Sequence, residues 1–357
     1  MKETQAKAVS EFIARAAGAS TQLEIISMSE MKGGESKENW LLELELEGGQ
    51  YNGRQKFVLR VDEQKLMPYS HNCVQEFHAL EALHKAGVKV PAPLFLCEEV
   101  DVYPNPFFVM ERIAGKSQGE RLVAELSNTD EGNELVEEVA TSLATIHKIK
   151  PPQEDLIFLE TPPESPALKA IEDCYGYLDR LTADSDAFSY PVIEWGIRWC
   201  QQNLPKKSDI VLCHGDYRLN NMMVSDGHLT GIIDWEYVTW SDPHEDIANF
   251  CAKFSRFGAY DMVAGGLANL EVFSEAYQKE SKREVDMDRF NWWKVMVNLR
   301  RALVCIEYGR RHQTGLYVSL DLALTTHSVA ALELEVLSLI DRIERAVIVQ
   351  EKEAESA

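Results

Sequence analysis

The first third of the chain alternates between short apolar runs and glycine-rich turns. In WLLELELE, Leu42, Leu44 and Leu46 alternate with glutamates, which is the period of a strand with one buried and one wet face. The runs LEIISM and KFVLRV lie on either side, and the turns MKGGESKEN and GGQYNG separate the three segments. The pattern predicts a helix over about residues 4–17, followed by two antiparallel hairpins.

A second helix is expected between Ser70 and Gly87. Ser70 is a suitable N-cap and Gly87 a suitable stop, and Glu76, Leu80 and Leu83 fall on one face of the helix. A carboxylate at the head of an apolar face needs a partner if it is buried.

The periodicity changes from that of strands to that of helices soon after residue 110. Two more strand candidates, PLFLCEE and FFVMERI, precede the change, and helical patterns dominate from about residue 118. We therefore predict an α+β protein with a small β-rich lobe over 1–112 and a larger, mainly helical lobe over 113–350. The hinge is expected near Met110–Gly115.

Composition and charge narrow the choice of partner and compartment. The net charge of −22 argues against nucleic acid or an anionic membrane surface as the main partner. Seven scattered cysteines without C-x-x-C spacing are typical of a reducing compartment, so we expect a cytoplasmic protein. No apolar run approaches the ~18 residues that a membrane span requires, so no membrane partner is expected.

The segment CHGDYRLNNMMVSDGHLTGIIDWE carries the candidate chemistry. MMVS and HLTGII read as strands joined by Asp226-Gly227, a strong hairpin signal. With that turn, Asn221 faces Ile232 and Asp234 lies on the adjacent diagonal. The hairpin therefore brings Asn221 and Asp234 to one end.

Phosphoryl transfer would use this set of side chains. Carboxylate and amide oxygens are ligands of hard cations such as magnesium, and a separate carboxylate can orient an acceptor hydroxyl and receive its proton. Asp216, five residues before Asn221, is the candidate base. Turn capping would explain any one of these residues, but three together favour a catalytic role.

The motif H-G-D-x-x-x-x-N followed by I-D-W-E resembles the signature of the aminoglycoside phosphotransferase and choline kinase family, whose members are distant relatives of protein kinases. The resemblance implies a two-lobed, protein-kinase-like fold that uses ATP and Mg²⁺ to phosphorylate a hydroxyl group of a small molecule. It also implies that Asp216 is the catalytic base, that His214 supports the catalytic loop, and that Asn221 and Asp234 hold magnesium.

The resemblance extends into the N-terminal lobe, where a glycine loop covers the nucleotide and the hinge backbone holds the adenine. Arginine here takes the place of the kinase lysine, and a guanidinium can grip phosphate bidentately. The implied nucleotide-binding residues are Gly33, Gly34 and Ser36 in the first hairpin, Arg60 with its helix partner Glu76, and Met110 and Glu111 at the hinge.

The segment DPHEDIAN extends the match without settling the substrate. We expect Asp246 to hold the catalytic loop from behind as a buried carboxylate. His147, on an amphipathic helix, is expected to be a packed histidine.

Two classes of acceptor remain open. Residues 235–250 contain four acidic residues and no Lys or Arg, so we favour an amino alcohol or aminoglycoside-like cation, with Trp235, Trp240 or the Trp292-Trp293 pair as contacts. The alternative is a hydroxy acid or hydroxyacyl thioester, because VLR and DP-x-x-D also resemble phosphotransferase domains found beside acyl-CoA dehydrogenases.

Other functions compete with the kinase assignment. A non-catalytic nucleotide-binding protein of the same fold would not need Asp216, Asn221 and Asp234 together. A metallohydrolase using His214 and Asp216 would need further His and Asp ligands. The oligomeric state is left open.

Overall fold

The computed structural model describes residues 3–19, 23–31, 37–62, 66–183, 189–206 and 209–356. The chain is α+β, with strands concentrated in its N-terminal part and helices in the remainder. The strands are β1 (Leu23–Glu30), β2 (Lys37–Leu46), β3 (Gly53–Asp62), β4 (Pro93–Cys97), β5 (Phe107–Glu111), β6 (Val211–Cys213), β7 (Met222–Ser225), β8 (His228–Ile232) and β9 (Thr239–Ser241). The helices are α1 (Glu3–Ala16), α2 (Cys73–Lys85), α3 (Gly119–Leu126), α4 (Asp130–Ile146), α5 (Pro166–Thr182), α6 (Pro191–Gln202), α7 (Pro243–Cys251), α8 (Leu270–Ser281), α9 (Met287–Gln313), α10 (Leu320–Thr325) and α11 (Val329–Ser356).

The chain divides into two compact units. Unit 1 comprises residues 1–117, 152–159 and 221–238, and unit 2 comprises residues 118–151, 160–220 and 239–357. Unit 1 thus takes in the β7–β8 hairpin, which the predicted limits place in the helical lobe. The domain limits 1–112 and 113–350 stay a prediction.

Unit 1 is built on a five-stranded antiparallel sheet of order β1-β2-β3-β5-β4. The leucines that alternate in β2, at positions 42, 44 and 46, are at most 1% exposed, which confirms the predicted buried face. They join Leu59 of β3 and Phe107 of β5 in one core. Helix α1 covers this core, and the ring of Phe12 meets Phe107 edge-on at 5.5 Å.

Helix α2 begins two residues later than expected. Asn72, and not Ser70, is its N-cap: the Asn72 side chain accepts from the N–H of Gln75, and the Gln75 side chain accepts from the N–H of Asn72. This reciprocal capping box satisfies two free helix donors at once, whereas the Ser70 hydroxyl donates to Met67 O. Gly87 follows the helix with a φ of +77°, as expected of a stop signal.

The turn between β7 and β8 forms as predicted. Asp226 and Gly227 have φ values of +51° and +80°, which a type I′ turn requires at both central positions. Ser225 pairs with His228 next to the turn.

The register of this hairpin then departs from the prediction. Met222, and not Asn221, faces Ile232, because Thr230 is an extra residue on its strand. The Thr230 hydroxyl donates to Met223 O at 3.0 Å, so the bulge is held by a polar contact. The predicted register was wrong because hydrophobic alternation carries no sign of a single inserted residue.

Unit 2 is mainly helical, with β6 and β9 as a short antiparallel pair. Helix α9 lies at its centre and packs against α5, α6, α7, α10 and α11. Most of its side chains are buried, among them Trp292, Trp293, Met296 and Leu299.

One helical segment, Leu320–Val349, is long and apolar enough to span a membrane by length and composition alone. Of its most apolar 18-residue window, 22% is buried, and the buried side chains include Leu332, Val336 and Leu339. The expectation that no apolar stretch approaches the length of a membrane span is therefore corrected for this helix. The absence of a membrane partner stays a prediction.

Candidate active site

The loop around Asp216 is fixed from behind by helix α7 of the same unit. The carboxylate of Asp246 accepts from the N–H groups of His214 at 2.7 Å and Gly215 at 2.9 Å. Asn249, almost one turn further along α7, donates its amide to Gly215 O at 3.2 Å. Asp246 is completely buried, so its charge is satisfied by these donors. The structural role expected of Asp246 is confirmed.

Within this loop, His214 and Arg218 hold Asp216 from two sides. The N–H of Asp216 donates to Nδ1 of the buried His214 at 3.2 Å, which requires the imidazole proton to sit on Nε2. Nε of Arg218 donates to Asp216 Oδ2 at 2.9 Å. The Asp216 carboxylate is therefore oriented, and its side chain is 19% exposed.

A buried trio behind the loop has the composition of a metal site. Ligand atoms of His147, Cys213 and Asp246 all lie within 4.8 Å of one another. Burial and the neighbouring carboxylates raise the pKa of the Cys213 thiol well above its usual value, whereas metal binding needs the thiolate. His147 Nδ1 meets Tyr277 OH at 2.7 Å, and burial lowers the pKa of the imidazole. The trio is a packed polar network, as expected for His147.

In unit 1, Arg60 on β3 is the centre of a second polar network. Its Nε donates to Glu76 at 2.9 Å and its Nη1 to Asn39 at 3.3 Å, while Nη2 pairs with Asp234. Burial alone would lower the pKa of Arg60, but the carboxylates of Glu76 and Asp234 raise it well above its usual value. The structure thus joins three residues that the sequence assigned to nucleotide and metal binding.

The Glu76 carboxylate is shared between two buried cations. Lys37 Nζ donates to Glu76 at 2.7 Å and to His71 O at 2.8 Å, and Trp235 N donates to the other carboxylate oxygen at 3.2 Å. Burial alone would raise the pKa of Glu76, but Arg60 and Lys37 lower it to about 2. Glu76 is therefore ionised and ties α2 to the segment that carries Asp234.

Lys37 is the residue that sequence reasoning missed. It is 2% exposed and opens β2, immediately after residues that the structure does not describe. A signal was present: Lys37 and Asn39 alternate on the face of β2 opposite Leu42, and Asn39 pairs with Arg60. Two polar residues on the face of the sheet that carries the VLR arginine indicate a polar cluster there.

The candidate metal ligands share one end of the β7–β8 hairpin. Ile233 N donates to Asn221 O at 2.9 Å. Ile233 therefore lies opposite Asn221, and Asp234 is the next residue in the chain. Asp234 has a φ of +68°, a conformation that favours Asn, Asp and Gly, and its side chain is 33% exposed. Magnesium prefers oxygen ligands. The Asn221 side chain offers an amide oxygen, and the Asp234 carboxylate offers Oδ2, since Oδ1 pairs with Arg60.

The catalytic and metal-binding roles stay predictions. Asp216 and His214 belong to unit 2, whereas Asn221 and Asp234 belong to unit 1. Asp216 and Asn221 are five residues apart in the chain.

The remaining nucleotide-binding predictions concern the glycine loop and the hinge. Gly33, Gly34 and Ser36 lie outside the described residues. Met110 and Glu111 end β5, and the N–H of Glu111 already donates to Ala92 O at 2.9 Å. An adenine ring would therefore have to use other backbone groups near the end of this strand.

The features that favoured a cationic acceptor are internal to the fold. Glu236, Asp242, Glu245 and Asp246 are at most 4% exposed: Asp242 caps α7, and Glu245 pairs with Arg300 and Ser241. The indoles are also buried, at 3% exposure or less; they are Trp235, Trp240, Trp292 and Trp293. These acids neutralise and cap internal groups, and these rings pack in the core.

Comparisons with known proteins concern the family and the fold. The family model described as the phosphotransferase enzyme family matches residues 28–280. Acyl-CoA dehydrogenase family members 10 and 11 of Mus musculus are 26% and 23% identical over 70% and 86% of this chain. The chain spans only 24% and 39% of their lengths. A crystal structure assigned as an aminoglycoside phosphotransferase from Ralstonia eutropha superposes with a TM-score of 0.71 at 18% identity, covering 94% of this chain and 98% of that one.

Proposed function

Because this chain belongs to the phosphotransferase enzyme family, we propose that it transfers the γ-phosphoryl group of ATP to a hydroxyl group of a small molecule. The observation that carries the proposal is the Asp216 loop. Two backbone N–H groups of the loop bind Asp246, and the Asp216 carboxylate itself is set by Arg218. A base for phosphoryl transfer must be oriented and reachable in this way.

Asp216 acts on the acceptor hydroxyl. It takes the hydroxyl proton while the acceptor oxygen bonds to the γ-phosphorus, and the bond from that phosphorus to the β–γ bridging oxygen breaks to release ADP. Most of the catalysis in such a reaction comes from positioning and charge stabilisation. The bonds that fix His214 and Gly215 supply the positioning.

Asn221 and Asp234 are the residues that would hold magnesium. When bound, the metal would neutralise charge on the phosphate oxygens. Arg60 holds Asp234 from the protein side, and Glu76 holds Arg60, so the carboxylate is oriented without the metal. Arg60 also remains charged, as a phosphate-binding residue must.

For the acceptor we propose a hydroxy acid or a hydroxyacyl thioester. Its support is the likeness to relatives named as acyl-CoA dehydrogenase family members, which extends over 86% of this chain. The acids between residues 235 and 250 are buried and paired, so they give no reason to prefer a cation. An amino alcohol or aminoglycoside-like cation is the second candidate, favoured by the net charge of −22.

An ADP-release assay with ATP and magnesium tests both candidates. Suitable acceptors are 3-hydroxybutyrate, its coenzyme A thioester, choline and an aminoglycoside, with the phosphorylated product identified by mass spectrometry. We expect turnover of the hydroxy acid or the thioester. Asp216→Asn should lower kcat by about 10²–10⁴-fold and retain ATP binding, whereas Asp341→Asn, at an exposed pair with Arg345, should behave as wild type.

Two results would contradict the proposal. One is an absence of acceptor-dependent ADP release with every class, and the other is near-wild-type turnover by Asp216→Asn. Turnover of amines alone would select the second candidate.

A further inference from the structure

The turn after α7 carries a cluster of positive charge that the acidic composition of the chain does not suggest. Lys253 Nζ and Arg342 Nη2 lie 3.3 and 3.1 Å from the two oxygens of Glu335. Lys294 and Arg256 interact electrostatically with both Arg342 and Glu335. Two cations therefore pair with this carboxylate and two more lie within its electrostatic range, in a chain whose net charge is −22.

Three separate elements contribute to this cluster. Lys253 and Arg256 come from the turn, Lys294 from α9, and Arg342 with Glu335 from α11. Gathering like charges is unfavourable unless a counterion or partner compensates for it. Burial and the neighbouring arginines Arg342 and Arg256 lower the pKa of Lys294 to about 8, against the opposing influence of Cys251 and Glu335.

Both ends of this turn adjoin the catalytic loop within unit 2. At one end, Cys251 lies two residues after Asn249, whose amide contacts Gly215 O. At the other end, Phe257 follows Arg256, and a Cβ at Gly119 would lie 2.6 Å from the Phe257 ring and from Asn220 Oδ1. Residues 251–257 therefore run from the helix that holds Gly215 to a ring packed beside Gly119, whose N–H donates to Asn220 Oδ1 at 3.0 Å.

The backbone of the turn is strained and tightly held. Phe257 has a φ of +47°, which is rare for a bulky residue and persists only where the surroundings fix it. Arg256 fixes it by donating to Cys251 O at 2.6 Å and to Tyr260 O at 2.6 Å. Ser255 is 2% exposed, and its hydroxyl has no hydrogen-bond partner among the described residues.

We propose that Lys253, Arg256, Lys294 and Arg342 bind the anionic end of the acceptor, a carboxylate or a phosphate group. Charged hydrogen bonds from lysine and arginine are the usual means of holding such groups. The turn that carries Lys253 and Arg256 is linked to the Asp216 loop through Asn249 within unit 2, and the acceptor hydroxyl must reach the Asp216 carboxylate. The inference rests on the proposed function, since it assigns the bound anion to the acceptor.

Equilibrium binding measured by calorimetry tests the cluster without requiring turnover. The probes are 3-hydroxybutyrate, which offers a carboxylate, and coenzyme A, which offers phosphates. Saturating ADP and magnesium are present so that coenzyme A does not report on the nucleotide site. We expect at least one probe to bind wild-type protein, and the one that binds identifies the anionic group.

The test variant is Lys294→Met combined with Arg342→Gln. It should raise the Kd of the bound probe at least about tenfold, because each charged hydrogen bond contributes at least that factor. Arg342→Gln alone should also raise Kd. Because this side chain is 64% exposed, the single variant should fold, and it can be measured even if Lys294→Met unfolds the chain. The matched control is Arg345→Gln on the same helix, which pairs with Asp341 at 2.9 Å and should leave Kd unchanged.

Failure of this inference and failure of the proposed function give different results. If wild-type protein binds neither probe, or if the variants bind as wild type does, the cluster is not an acceptor site even where phosphorylation is observed. If the variants lose binding but no acceptor is phosphorylated by wild-type protein, the anion site stands and the proposed reaction is wrong.

Discussion

Glu76 is the residue on which the polar network of unit 1 depends, because one carboxylate balances Lys37 and Arg60. Its side chain is 2% exposed, so water cannot replace a lost partner. Glu76→Gln leaves two buried cations without their shared counter-charge and should lower the free energy of unfolding by about 3–5 kcal/mol. Urea denaturation at pH 7 measures this difference. The control is Glu125→Gln, at an exposed pair with Arg121, which should leave stability nearly unchanged.

The difference in stability between wild type and Glu76→Gln should depend on pH. Glu76 has a pKa of about 2 in the folded chain, below its ordinary value of 4.5, so its stabilising contribution is complete above about pH 4.5 and is lost as the pH falls towards 2. The stability gap between wild type and Glu76→Gln should therefore narrow over this range. A gap that stays constant down to pH 2.5 would mean that Glu76 is not ionised by its two partners.

At the scale of elements, α2 positions Glu76, and its N-terminus is set by the Asn72 capping box. Asn72→Ala removes the acceptor for the Gln75 N–H and should cost about 1 kcal/mol of stability. Ser70→Ala, at the cap that the sequence alone favoured, should cost less, because that hydroxyl contacts Met67 O and no helix N–H. Thermal unfolding of the two variants compares the positions directly. A larger loss for Ser70→Ala would contradict the observed start of the helix.

Elements defined by regular repetition could be predicted from the sequence. The alternating leucines of β2 identified a strand and its buried face, and Asp226-Gly227 identified a hairpin by its need for positive φ. Family resemblance located Arg60 opposite Glu76, and the structure places them 2.9 Å apart. In the first two cases the information lies in a few consecutive residues, and in the third it lies in the family motif.

Features that depend on one inserted residue or on distant partners could not be predicted. The Thr230 bulge shifts the hairpin by one position, and hydrophobic alternation does not record such a shift. The ion pair of Lys37 could not be predicted, because its partner Glu76 lies 39 residues away and the position of Lys37 on β2 indicates only a polar face. The acids Asp242 and Glu245 were part of the acidic segment that favoured a cationic acceptor, and their burial could not be predicted because it depends on α7 packing against α9.

At the scale of the whole molecule, the net charge of the chain and the charge of the proposed acceptor site have opposite signs, and they act in opposite directions on an anionic acceptor. The net charge of −22 repels an anion at long range, whereas the cluster around Lys294 attracts it at short range. Salt separates the two effects, because the screening length falls from about 30 Å at 0.01 M to about 10 Å at 0.1 M. Repulsion from the distant surface is therefore removed first, and the close attraction weakens only at higher salt.

The salt profile of kcat/KM for the acceptor, measured at saturating ATP and magnesium, should follow this order. For a hydroxy acid or its thioester we expect a rise between about 0.01 and 0.1 M salt as repulsion is screened, then a fall at higher concentrations. The Lys294→Met and Arg342→Gln double variant should keep the rise and lose the fall, because only the short-range attraction has been removed. A cationic acceptor should instead show kcat/KM falling from the lowest salt onward. A monotonic fall with the hydroxy acid itself would mean that local attraction outweighs the −22 charge at every distance, and the double variant would then have to abolish the salt dependence.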